Sequence, residues 1–135
     1  MTRSTAIELV CLLMLGCVPI GPGYTDFSAD FGHGCQLMQF SAQDVMISVD
    51  GSFTHKGVPA KVVSCGFDGE RFVIAKQQKV DGKGQPIPKQ FQYWIVDAPG
   101  KIRHGPYKDA QFAAMRKTLG VPESLKLRSK DSYRP

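Results

Sequence analysis

The sequence predicts an α+β fold, an antiparallel sheet of five or six strands with one helix near the C-terminus at about residues 109–119. Three observations carry this. Val45, Ile47 and Val49 alternate with Asp44, Met46 and Ser48, the two-residue period of a half-buried strand. Two β-branched and aromatic runs, residues 60–67 and 71–77, meet at Asp68-Gly69, a strong hairpin pair. After Gly105-Pro106-Tyr107 the apolar period lengthens: Phe112, Met115 and Leu119 share one helical face, with Asp109 as a cap and Gly120 at the end. Strands followed by a single late helix make an α+β arrangement.

The chain has 135 residues, enough for one domain of ordinary size. Eight Phe, four Tyr and 42% hydrophobic residues argue for a folded body. Residues 1–16 have a positive start at Arg3, an apolar middle and a small Gly16 before Cys17, the layout of a secretory signal. Glu8 interrupts the apolar run, and Pro19, Gly21, Pro22 and Gly23 end it short of the roughly 20 residues a membrane span needs. Residues 17–33 then read as an N-terminal tether, residues 34–128 as the domain and residues 129–135 as a basic, flexible tail.

Within the domain, residues 35–40 form a strand paired with residues 44–49, and Asp50-Gly51 turns the chain. In the central hairpin, a two-residue turn at Asp68-Gly69 sets Cys65 opposite Phe72. Residues 81–88 are polar and rich in Gly and Pro, an exposed loop. Residues 91–97 supply the next strand, and a turn at residues 98–100 leads to a short strand through Ile102. Gly105-Pro106 launches the helix, Pro122 blocks its continuation, and residues 125–128 form a last extended segment.

The net charge of +5 is unevenly placed. From Lys101 to Pro135 nine Lys or Arg face Asp109, Glu123 and Asp131, whereas residues 17–100 hold seven basic and eight acidic groups. A basic C-terminal quarter is either a solvated surface or suited to an anionic partner, at about 1 kcal/mol per basic residue near anionic lipid. Of the four cysteines, Cys11 lies in the leader and Cys17 at its end, leaving Cys35 and Cys65 as an even pair. In an oxidising compartment they could bridge. Strands flanking a common neighbour would hold them about 9–10 Å apart, beyond the ~7 Å reach of a disulfide, so buried free thiols are the alternative.

Few reaction chemistries find support in the residues. His33, His55 and His104 lack metal-ligand spacing among themselves or with cysteine, so no metal and no cofactor is expected. There is no G-x-S-x-G elbow, phosphate-cradling loop, H-E-x-x-H helix or calcium loop. A hydrolase would need a concave site built on His104 or a free Cys65, and nothing in the sequence places a base beside that thiol. The basic tail lacks an aromatic stacking platform, so nucleic acid is not an expected partner.

Three resemblances add to this. Leu13-Met14-Leu15-Gly16-Cys17 resembles the lipobox of bacterial lipoproteins. That implies removal of residues 1–16, acylation of Cys17 with palmitate-type chains, and a membrane anchor. Val18, rather than Asp, after the cysteine implies an outer-membrane location facing the periplasm in a Gram-negative host. Residues 34–128, with Pro59 to Val62, Ile74 to Gln77 and the late Gly-Pro-aromatic step into a helix, resemble a family of small uncharacterised bacterial lipoproteins. Over a shorter span, Trp94, Asp97 and Gly105-Pro106-Tyr107 resemble GYF-type adaptor domains, which implies an aromatic surface at Trp94 and Tyr107 for proline-rich peptide. The bare residues equally suit Trp94 as core. The expectation is a non-catalytic envelope lipoprotein. Its alternatives are a protein-binding or inhibitory module using Trp94, Tyr107 and the basic tail, and a hydrolase.

Overall fold

The computed structural model describes residues 27–51 and 57–135, so the leader, Cys17, the first part of the tether and His55 lie outside the described residues. The chain is α+β, and its strands form two antiparallel sheets rather than the single one expected. The smaller sheet has the order β1-β2-β3, from β1 (Phe27–Gly32), β2 (Cys35–Gln39) and β3 (Val45–Ser48). The larger has the order β7-β6-β5-β4-β8, from β4 (Val62–Phe67), β5 (Phe72–Val80), β6 (Pro86–Asp97), β7 (Ile102–Tyr107) and β8 (Arg128–Ser129).

Side-chain alternation explains how the sheets stack. On β2, Cys35, Leu37 and Gln39 point inward, while Gln36 and Met38 stay partly exposed. They meet Val73 and Ala75 of β5 and Trp94 and Val96 of β6 in one apolar layer between the sheets. The first four residues of β5 are all buried, because this strand is covered on both sides. Phe72 and Ile74 face the other way, into a second layer with Ile95, Phe112, Val121 and Leu125 beneath the helix. The result is three layers: small sheet, large sheet, helix.

The helix α1 (Asp109–Leu119) follows the predicted pattern, with Phe112 buried and Met115 and Leu119 packed partly under it. Lys108, not Asp109, is the capping residue, and its N–H donates to the Gln111 side chain at 2.9 Å. Asp109 is the first helical residue, where its charge suits the positive end of the helix dipole. Gly120 adopts φ 81°, its N–H donates to the Lys117 carbonyl and that of Val121 to Arg116, a Schellman closure.

Four local expectations are corrected. Strand β1 begins at Phe27, inside the stretch assigned to the tether, and pairs along its length with β2. Asp68 and Gly69 do not form a two-residue turn: the Asp68 carboxylate accepts from the N–H groups of Glu70, Arg71 and Phe72, which opens a longer loop. Cys65 consequently pairs with Ala75 instead of Phe72. Strand β6 starts at Pro86, so the loop expected over residues 81–88 is a tighter turn ordered by Asp81, whose side chain accepts from the Lys83 and Gln85 N–H groups. Gly105 and Pro106 belong to β7 rather than to the helix-launching turn.

The segment expected to be a frayed tail is the largest correction. Arg128–Ser129 pairs with Ser64 and Cys65 of β4, and Lys130–Tyr133 forms a 3-10 helix. The Tyr133 hydroxyl donates to the Cys65 carbonyl at 2.9 Å, and its ring meets Phe31 of β1 edge-on. Lys130 donates to the Ala42 carbonyl in the β2–β3 turn, and Arg134 lies over the Phe27 ring. One short segment thus touches both sheets and closes the end of the sandwich.

Candidate functional site

The two thiols lie in the layer between the sheets, Cys35 at the start of β2 and Cys65 in β4. Both are buried and free, in the state the sequence left as the alternative to a bridge. Burial pushes the Cys65 thiol up to about 12, and burial likewise raises Cys35. A thiol held that far up is protonated at neutral pH and is a poor nucleophile. His104 is on β7 and Cys65 on β4, three strand spacings or about 14 Å apart across the sheet, so the pair considered for a hydrolase is not brought together.

The aromatic surface expected from Trp94 and Tyr107 does not form. Period-two alternation on β6 turns Trp94 toward the small sheet, while Tyr107, paired with Tyr93, packs on the helix side. The two rings occupy opposite faces of one sheet. Trp94 is 5% exposed and its Nε1 donates to the Gln77 Oε1 at 2.7 Å. Arg103 stacks on the indole and donates to the Gly57 carbonyl at 2.7 Å.

Gln77 is the organising polar residue of this region, and no sequence motif marks it. Its Oε1 accepts from Trp94 and from Gln92 Nε2, while its Nε2 donates to the Pro59 and Ala60 carbonyls. All four positions of a buried amide are therefore used. They tie β5 and β6 to the segment leading from Gly57 to β4. The available signal was Gln77 itself, a polar residue at the inward position after Val73 and Ala75. Gln39, buried on β2, shows the reverse, since neither its Oε1 nor its Nε2 has a hydrogen-bond partner among the described residues.

Charge marks the remaining surface. Lys126 lies between two shallow recesses: one of about 290 Å³ is lined also by Arg116, Lys117 and Glu123, the other of about 360 Å³ by Arg128 and Tyr133. A third recess, at the other end of β8, includes Lys61 and Lys130. Lys61 is paired with Asp44 at 3.0 Å, which lowers the Asp44 carboxyl. Arg116 is held by neutral acceptors, the Pro122 and Leu125 carbonyls, and Arg128 lies over the Tyr133 ring, so neither charge is cancelled by these contacts. Part of the basic character seen in the sequence thus borders these recesses, Lys126, Arg128 and Lys130 beside β4 and Arg116 and Lys117 in the last turn of α1, whereas Lys101, Arg103 and Lys108 lie at β7 and the start of α1.

His33 joins two turns by a 2.9 Å contact to the Glu70 carbonyl. Among the described residues no group of three or more His, Cys, Asp or Glu could hold a metal ion, and no helix is long and apolar enough to cross a membrane. Residues 32–132 match the family described as Protein of unknown function (DUF3997). No curated protein and no solved structure matches the chain.

Proposed function

The chain belongs to the DUF3997 family, and from that premise we propose that it is a non-catalytic envelope lipoprotein. The observation that carries the reading is Leu13-Met14-Leu15-Gly16-Cys17, which places a lipobox-like cysteine ten residues before the first strand at Phe27. Acylation at Cys17 attaches the chain durably to a membrane, because several acyl chains at about 0.8 kcal/mol per buried CH₂ exceed what one chain supplies. Ten residues reach at most about 35 Å, so the domain stays beside the bilayer. The internal chemistry supports a non-catalytic role: Cys65 is held protonated, and Trp94 is committed to Gln77.

Labelled palmitate is expected to enter the wild-type protein and not Cys17→Ala, with Cys17→Ala lost from the membrane fraction. No label in the wild type, together with membrane association that persists in Cys17→Ala, would overturn the anchor.

A further inference from the structure

We propose that the basic face formed by residues 126–130 and the last turn of α1 is the one the domain lays against the membrane, where Arg116, Lys117, Lys126, Arg128 and Lys130 meet anionic lipid headgroups; this rests on the Cys17 anchor. Five observations converge on it. The five cations line three recesses linked by residues 126–130: Lys126 borders both the one with Arg116 and Lys117 and the one with Arg128, and Lys130 borders the third, with Glu123 as the carboxylate among these lining residues. Arg116 and Lys130 are held by carbonyls and Arg128 by a ring, so they are positioned without being neutralised by those groups.

This face also sits where the anchored end of the chain enters the fold. Arg134 lies over Phe27, the first described residue of β1, and Tyr133 packs on Phe31 in the same strand. A tether attached at Cys17 therefore enters the fold at this end of the sandwich. Finally, Phe40 is 46% exposed beside the β2–β3 turn that Lys130 contacts through the Ala42 carbonyl. A ring beside a row of cations is the composition that lies at a headgroup boundary. Lys126, Arg128 and Lys130 recur at every second residue before, within and just after β8, so that several headgroups can be met at once.

The test uses the full chain purified from membranes and reconstituted into vesicles of phosphatidylcholine alone or with phosphatidylglycerol, probed with an amine-reactive label. Lys117 and Lys126 are expected to label several-fold more slowly in the phosphatidylglycerol vesicles, while Lys83 and Lys101, at the β5–β6 turn and before β7, are unchanged. About 1 M salt, which shortens the Debye length to ~3 Å, is expected to abolish the protection. Equal labelling of Lys117 and Lys126 in both vesicles overturns the proposal, as does equal slowing of all four lysines. Protection that appears only when envelope proteins are added also overturns it, in favour of an acidic protein partner. Flotation on pure phosphatidylcholine reports the anchor separately, so its failure is not confused with failure of the face.

Discussion

Gln77 uses all four hydrogen-bonding positions of its amide inside the fold, whereas Gln39 uses none among the described residues. Sequence alone could not separate these two glutamines, since each is one polar residue in an apolar strand and the partners that distinguish them come from distant segments. Their substitutions should behave oppositely. Gln77→Leu strands the Trp94 indole N–H in the core and is expected to lower unfolding free energy by about 1–3 kcal/mol in urea titrations. Gln39→Leu removes a buried amide with no partner among the described residues and is expected to be neutral or stabilising by roughly 1 kcal/mol; a clear loss would mean that the amide is paired.

The Cys65 thiol and the Tyr133 hydroxyl, both pushed up to about 12 by burial, give a second prediction at this scale. Above about pH 9 the unfolded chain releases these protons before the folded chain does, so the unfolded state holds fewer protons and stability falls as pH rises. The fall runs from the ordinary thiol range toward pH 12, at up to about 1.4 kcal/mol per pH unit for Cys65 and less for Tyr133, whose partly exposed hydroxyl is screened by solvent. Denaturant titrations at stepped alkaline pH should show it, with a shallower slope in Cys65→Ala. An unchanged slope in that variant would contradict the burial argument.

At the scale of elements, the helix was legible because Phe112, Met115, Leu119 and Gly120 express its period and stop locally. Phe112→Ala is expected to cost about 3–5 kcal/mol, since Phe112 fills the layer between helix and sheet and stacks on Tyr93. The central hairpin was legible as a hairpin but not in register, because its loop length is set by three amides converging on Asp68. Strand β1 was hidden by Gly32 and Gly34, which belong to the tight turn into β2. Gly66 marks another long-range constraint: a Cβ there would stand 2.3 Å from the Lys126 carbonyl. Gly66→Ala is expected to push the segment before β8 away and to cost about 1–3 kcal/mol, as overpacking does.

Across the whole molecule, the two sheets are held together at one end by the C-terminal segment that looked like a solvated tail. Its charged residues disguised it, while its grip comes from backbone pairing at Ser64 and Cys65 and from the Tyr133 ring and hydroxyl. Removing residues 128–135 should therefore lower stability by several kcal/mol rather than leave it unchanged, as thermal unfolding would show. The candidate site was legible in part. Basic composition pointed to the C-terminal quarter, but the placing of Lys126, Arg128 and Lys130 beside β4 required the β4–β8 pairing. That Trp94 and Tyr107 occupy opposite faces was not legible, because residues close in sequence on adjacent strands can face opposite ways.

The central claim concerns Cys17, and the intact mass of protein extracted from the membrane of its host tests it most directly. The predicted result is a chain beginning at Cys17 that carries the added mass of several acyl groups. A chain retaining residues 1–16, or one beginning at Cys17 without added mass, would contradict it.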